Sequence, residues 1–184
     1  MGELPADRAE LVAELERLGE AYASVAEGLS AADFNRQAMP GKSWSVGQCL
    51  DHIAKINTHY VAPLREAAFR ARPGPVPLRP NRLGRWFVAE MEPPAKRRLP
   101  APAPAIPSSN LDPGSTLQSF RDAQARIVAL VRETAELDLN RARFRNPFLM
   151  GLPVFNVATG LLVIAAHERR HLLQAQKVRV AIPL

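Results

Sequence analysis

At 184 residues the chain is long enough to bury a hydrophobic core without disulfides or other cross-links, and we expect one domain over residues 1–184. Apolar residues make up 47% and charged residues 23%, a balance that is typical of globular proteins and excludes a disordered or fibrous chain. The single cysteine, Cys49, excludes an internal disulfide and favours a reducing compartment. With no signal-peptide pattern, and no apolar stretch longer than residues 157–166, we expect a cytoplasmic protein without a membrane span.

The formal net charge is +6, and the basic residues are concentrated in one region. Residues 61–110 contain nine Lys and Arg against three Glu. Such a surface could attract nucleic acid or an anionic small molecule. No basic-aromatic RNA motif or helix-turn-helix spacing accompanies it, so a solvated basic surface is the favoured interpretation and nucleic acid is not expected as a partner.

Two amphipathic helices are predicted in the first part of the chain. The first covers residues 6–29, where apolar residues recur every three or four positions with Glu and Arg between them. The second covers residues 46–70. Its expected N-cap is Ser45, and Gln48 three residues later completes a capping-box pattern.

The composition of the chain changes in residues 72–111, where ten of the forty residues are proline. Proline at this density forbids a long helix or a central strand, and only "GRWFVAEM", residues 84–91, can form a short helical turn. The composition is typical of a disordered linker. However, Trp86 and Phe87 can dock on an apolar surface, so we expect the connection to pack on the helices.

Two more helices are predicted after the connection. The third covers residues 115–137, with Ser115 as N-cap and Gln118 three residues later. The last covers residues 157–178 and begins after Asn156 as N-cap. No alternating strand pattern is present, so four helices of about twenty residues predict an all-α four-helix bundle with a long Pro-rich connection between helices 2 and 3.

The last predicted helix contains "HERRH", residues 167–171. His167 and His171 are one turn apart on one helical face, roughly 6 Å apart at their Cβ atoms, which suits two ligands of one metal ion. The motif also matches the H-E-x-x-H of zinc proteases. No His, Asp, Glu or Cys follows His171 as a third ligand, and no strand is predicted to hold a peptide, so a protease is disfavoured. Glu168 is then expected to face solvent or to support the ligands, not to act as a catalytic base.

A third metal ligand must therefore come from earlier in the chain. His52 and His59 share a face of the second predicted helix but stand about 10 Å apart along its axis. One of them could reach the ion while the other lined the mouth of the pocket. Cys49 could also point inward as a thiolate ligand, although a small buried apolar side chain is its favoured interpretation.

The stretches "WSVGQCLDHI" (residues 44–53) and "HERRHLLQ" (residues 167–174), separated by a long variable connection, resemble the DinB-like superfamily. That superfamily includes bacillithiol transferases and mycothiol-dependent isomerases. The resemblance covers nearly the whole chain and implies a four-helix bundle with one divalent metal, held by His52 and by the pair His167 and His171. It also suggests that Gln174 contacts the ligands or the pocket, and it assigns no role to His59.

Three neutral imidazoles accept zinc, nickel or iron(II), and the remaining coordination positions would hold a water or a substrate thiolate. The resemblance thus implies a metal-dependent enzyme, either a low-molecular-weight-thiol S-transferase acting on an electrophile or a small hydrolase. The alternative is a non-catalytic, metal-binding stress-response protein. A homodimer is expected in either case. Basic residues of the connection could attract an acidic thiol: Arg79, Arg82 and Arg85, or Lys96, Arg97 and Arg98.

Overall fold

The computed structural model describes residue 5 and residues 7–94 and 99–182, and every regular element in these residues is helical. The six α-helices are α1 (Arg8–Ala26), α2 (Ala31–Phe34), α3 (Val46–Ala68), α4 (Arg82–Met91), α5 (Pro113–Glu133) and α6 (Val157–Val180), with a 3-10 turn at Ala103–Ala105. Two isolated β-bridges are the only extended pairings among the described residues. The predicted all-α class is therefore confirmed for this part of the chain.

The four long helices α1, α3, α5 and α6 correspond to the four that the sequence predicts. Helices α1 and α3 each pack against both α5 and α6, and α4 packs against α6. Their apolar faces form two buried clusters, one of which includes residues from all four long helices and from α4. None of the described helices is long and apolar enough to cross a membrane.

The helix starts follow side-chain caps, with one correction. The capping box of Ser45 and Gln48 is present at α3, and the Asn156 side chain accepts the N–H of Thr159 at the start of α6. Helix α5, however, begins at Pro113 and not near Ser115. Asp112 is its N-cap, because the Asp112 side chain accepts the N–H of Ser115. Pro113 suits the first helical position, because proline has no N–H that would need a partner there.

The Pro-rich connection contains more helix than predicted, since α4 extends over ten residues. The buried apolar side chains of the connection are Leu78, Val88, Met91 and Ala105, and Glu90 is buried as well. Phe87 stacks on Phe155 with ring centroids 5.3 Å apart, whereas Trp86 is 55% exposed. Phe87 thus makes the expected apolar contact and Trp86 remains mostly at the surface.

The first half of α6 is buried on all sides, because α1, α3 and α4 all pack around it. Every residue from Val157 to Ala166 is buried. Gly160 packs against α3, since a Cβ atom at this position would lie 2.6 Å from Leu64 Cδ2.

Candidate metal centre

Two helices bring His52, His167 and His171 together. His52 lies seven residues after the Ser45 cap of α3, and the other two lie on successive turns of α6. The helices run in opposite directions, since His52 meets His167 while Leu64 meets Gly160. The structure therefore places the three histidines that the sequence singled out at one point between α3 and α6.

The Nε2 atoms of the three rings converge. His167 Nε2 lies 3.4 Å from His52 Nε2 and 3.1 Å from His171 Nε2. The ligand atoms of the three residues all lie within 4.8 Å of one another. A tetrahedral ion with metal–nitrogen bonds of about 2.0–2.1 Å separates neighbouring nitrogens by roughly 3.3 Å. The donor set and its spacing therefore fit a divalent metal ion.

The opposite nitrogens of two of these rings have hydrogen-bond partners that orient them. His52 Nδ1 lies 2.6 Å from the carbonyl oxygen of Ala105, which only accepts hydrogen bonds, so Nδ1 is the protonated nitrogen and donates. His171 Nδ1 lies 3.1 Å from Gln174 Oε1 and donates in the same way. Both tautomers leave an Nε2 lone pair for a metal, which is how imidazole ligands are usually held.

Trp44 forms one wall of the cluster. Its half-buried ring stacks on His171 at 5.2 Å between centroids, with 19° between the ring planes. The same ring contacts His52 at 4.7 Å. Trp44 therefore restricts two of the three imidazoles from the side of the N-terminus of α3.

Burial keeps the histidines neutral. It lowers the pKa of His52, and it lowers the pKa of His171 to about 3 with help from the charges of His52 and Arg170. The pKa of His167 falls well below its ordinary value, because of burial first and then the charges of His171, His52 and Arg170. Neutral imidazoles are the form that binds a metal, so no proton has to leave the cluster before metal binding near neutral pH.

One of three comparisons with known proteins found a match. The family model of the DinB superfamily matches residues 14–175. The chain belongs to the DinB superfamily. No curated protein and no solved structure matches it.

The expectation that Glu168 faces solvent is wrong for this DinB superfamily chain. Its side chain is fully buried and accepts hydrogen bonds from Asn57 Nδ2 and Gln124 Nε2, each at 2.8 Å. Tyr22 donates its hydroxyl proton to the backbone carbonyl of Glu168 at 2.8 Å. Burial raises the pKa of the Glu168 carboxyl to about 7, although the two amides counteract the shift. We call Tyr22, Asn57, Gln124 and Glu168 the Glu168 cluster.

The remaining candidates lie outside the three-histidine cluster. Cys49 is fully buried, and burial raises the pKa of its thiol, which fits the apolar role favoured from the sequence. His59 is exposed, with its ring against Phe148 at 5.8 Å. In the connection Arg79, Arg82 and Arg85 are exposed, whereas Lys96, Arg97 and Arg98 lie outside the described residues.

Sequence reasoning missed three features around the histidines of this DinB superfamily chain. They are the ring of Trp44, the carbonyl of Ala105 and the positive charge of Arg170. Trp44 begins the first quoted motif and Arg170 lies inside "HERRH". Their positions near the histidines in the sequence could therefore have indicated an aromatic wall and a positive charge at the site. The Ala105 carbonyl is a backbone group with no side-chain signature, and no residue pattern could have pointed to it.

Proposed function

We propose that the protein binds one divalent metal ion through His52, His167 and His171 and uses it as an enzyme. The convergence of three Nε2 atoms is the observation that carries this proposal. Zinc, nickel and iron(II) all accept three imidazoles, and the chain offers no feature that selects among them. When bound, such an ion acts as a Lewis acid that favours the deprotonated form of a water or a thiol.

The proposed reaction class is S-transfer from a low-molecular-weight thiol to a small electrophile, or hydrolysis of a small substrate. Three protein ligands leave coordination positions for an exogenous molecule, as catalytic zinc sites do. Cys49 does not belong to the group of described residues whose ligand atoms converge. His171 and His52 are held by Gln174 and Ala105, and Trp44 restricts access from one side.

The chemistry of the pocket also suggests what it attracts. Arg170 is half-buried, and its charge acts on both His167 and His171. The Glu90 carboxylate offsets part of this charge, and the remainder favours an anionic thiol or thiolate over a cationic substrate. We assign Gln174 to holding His171, and we keep His59 as a residue of the outer pocket.

The alternative is a non-catalytic, metal-binding stress-response protein in which the ion only joins α3 to α6. We further propose a single four-helix-bundle domain of DinB-like type, located in the cytoplasm and assembled as a homodimer. We place the second copy at a groove between α1 and α5, which is lined by charged side chains of both helices and by four small residues: Gly19, Ala23, Ala125 and Ala129. Light scattering checks the dimer, for which the expected mass is twice that of one chain.

The decisive experiment measures metal content by mass spectrometry after loading with zinc, nickel or iron(II) and dialysis. We expect one ion per wild-type chain and a loss of that ion in His52→Ala, His167→Ala and His171→Ala. His59→Ala is the matched control, since it removes an exposed histidine from the same helix as His52 and should retain the ion. Full occupancy in any of the three variants would remove that residue from the ligand set.

A thiol-conjugation screen then separates the two functions. Metal-loaded protein is mixed with a panel of low-molecular-weight thiols and a bimane electrophile, and with ester substrates in parallel. Turnover that needs the ion and disappears in His167→Ala favours the enzyme. Stable metal binding without turnover of any of these substrates favours the stress-response alternative.

A further inference from the structure

A segment of the Pro-rich connection reaches one of the three histidines. Residues 103–108 lie against α3, where the carbonyl oxygen of Ala105 accepts the Nδ1 proton of His52 at 2.6 Å. Ala105 is itself fully buried. This single backbone oxygen determines which nitrogen of His52 is protonated, and hence which one carries a lone pair toward His167.

Two charged residues of α3 hold this segment in place. Lys55 Nζ donates to the carbonyl of Ile106 at 3.0 Å and to the hydroxyl of Ser108 at 2.9 Å. Asp51 Oδ2 accepts the backbone N–H of Ser108 at 2.7 Å. Lys55 and Asp51 also bind each other at 2.8 Å. The attachments therefore lie one and three residues beyond Ala105 in the chain.

Proline makes the attached segment stiff. Pro102 and Pro104 flank the start of the 3-10 turn, and Pro107 lies between the two attachment points. Because each proline ring fixes its own φ, few torsions remain between the Lys55 contacts and the Ala105 carbonyl. Attachment at residues 106 and 108 thus restricts the direction of that carbonyl.

A surface ion pair at i and i+4 would by itself add only a few tenths of a kcal/mol to helix stability. Such a pair stands at the C-terminal end of α3, where Glu66 in the helix and Arg70 just beyond it lie 2.6 Å apart with side chains 62% and 76% exposed. The Asp51 and Lys55 side chains are 16% and 30% exposed, and both bind the connection as well as each other. The same i, i+4 spacing therefore gives an exposed pair in one place and an attachment point for the connection in the other.

We propose that Asp51, Lys55 and Ser108 are positioning residues that hold the Ala105 carbonyl against His52 and thereby set the tautomer and orientation of this metal ligand. The inference rests on the proposed function, in which His52 binds the ion. It adds that part of the metal affinity resides in the connection between α3 and α5, outside the helices that bear the ligands.

The first test compares zinc affinities by titration calorimetry. Lys55→Met keeps the aliphatic stem but removes three hydrogen bonds, and we expect its Kd for zinc to rise about tenfold, as is usual when a partner of a ligand histidine is lost. Arg70→Met breaks the exposed pair at the C-terminal end of α3 and should leave the Kd unchanged. Asp51→Asn keeps an oxygen for the Ser108 N–H, so it should cost less affinity than Asp51→Ala.

The second test observes the tautomer directly by nitrogen-15 NMR of the imidazole rings in metal-free protein. Wild type should show His52 protonated at Nδ1, and Lys55→Met should show a mixture of both tautomers. A merely structural role for Lys55 would not move this signal. If circular dichroism shows that Lys55→Met is unfolded, Ser108→Ala takes its place, with the same expected direction and a smaller size.

The outcomes separate the two proposals. Unchanged zinc affinity and an unchanged His52 tautomer in folded Lys55→Met or Ser108→Ala would overturn the positioning role while leaving the metal site intact. An equal loss of affinity in Arg70→Met would overturn it too. If wild type binds no zinc, nickel or iron(II) but the tautomer changes in Lys55→Met, the metal function fails and the positioning of His52 stands.

Discussion

Two polar clusters adjoin each other on α6 and differ in how their atoms are paired. In the three-histidine cluster the Nε2 atoms of His52, His167 and His171 point at one another, and two of them carry lone pairs. In the Glu168 cluster donors meet acceptors. The Glu168 carboxylate accepts from Asn57 and Gln124, and Gln124 also donates to the Leu15 carbonyl at 2.8 Å.

The difference separates a candidate metal site from a structural network. Convergent acceptors are unfavourable unless a cation or a proton lies among them, whereas a network of matched hydrogen bonds is complete by itself. The Glu168 network is nearly complete, with Asn57 Oδ1 as a buried oxygen that has no hydrogen-bond partner among the described residues. Glu168, the residue adjacent to His167 in "HERRH", therefore joins the helices through its hydrogen bonds and does not point into the histidine cluster.

The largest expected effect comes from removing the acceptor at the centre of the structural cluster. Glu168→Ala leaves one amide proton each on Asn57 and Gln124 buried without a partner, and each such group costs about 1–3 kcal/mol. We expect the metal-free protein to lose about 3 kcal/mol or more of unfolding free energy in urea. Glu16→Ala, which breaks an exposed pair with Arg132, is the control and should change it by less than about 0.5 kcal/mol. Similar values for both variants would contradict the distinction between the clusters.

A smaller effect is expected at the edge of the binding cluster. Gln174→Ala removes the acceptor that holds His171 Nδ1, so the zinc Kd should rise about tenfold while the metal-free stability changes little. Gln176 is exposed on the same helix, and Gln176→Ala is the matched control with no expected change. An unaltered Kd in Gln174→Ala would show that His171 is held without its amide partner.

A third effect is a slope of stability with pH, which differs between the two clusters because their pKa shifts have opposite signs. Folding lowers the pKa of His171 from 6.5 to about 3, so the unfolded chain binds more protons and stability is lost as the pH falls through this window. Folding raises the pKa of Glu168 from 4.5 to about 7, so its contribution is lost as the pH rises through that window. Each single group changes stability by at most about 1.4 kcal/mol per pH unit.

Urea unfolding of the metal-free protein between about pH 4 and about pH 8 checks this difference. In the wild type, the free energy of unfolding should rise from acid to neutral pH because of His171, and His171→Gln should make this rise smaller. Between the ordinary and the raised pKa of Glu168 the free energy of unfolding should fall because of that carboxyl, and Glu168→Gln should make this fall smaller. Variants that alter the pH profile in the same direction would refute the assigned signs.

The sequence predicted the helices and the pairing of His167 with His171 because both depend on local spacing, whereas the choice of His52 as their partner came from the resemblance to the DinB-like superfamily. Apolar periodicity and side-chain caps define α3 and α6, and an i, i+4 pair necessarily shares one helical face. It could not predict that Glu168 is buried, since the partners that hold the carboxylate, Asn57 and Gln124, come from two other helices. It also placed the start of α5 at Ser115, because the capping-box pattern there competed with the aspartate-proline signal at Asp112.

The ring of Trp44 against His171 and His52 gives the protein an intrinsic optical reporter of the site. The chain has only two tryptophans, and the second, Trp86, is 55% exposed. An open-shell ion such as nickel(II), held a few ångströms from the indole, would quench its fluorescence, whereas zinc would leave it bright. In a Trp86→Phe background, emission intensity alone would therefore distinguish which of two ions the same three nitrogens hold.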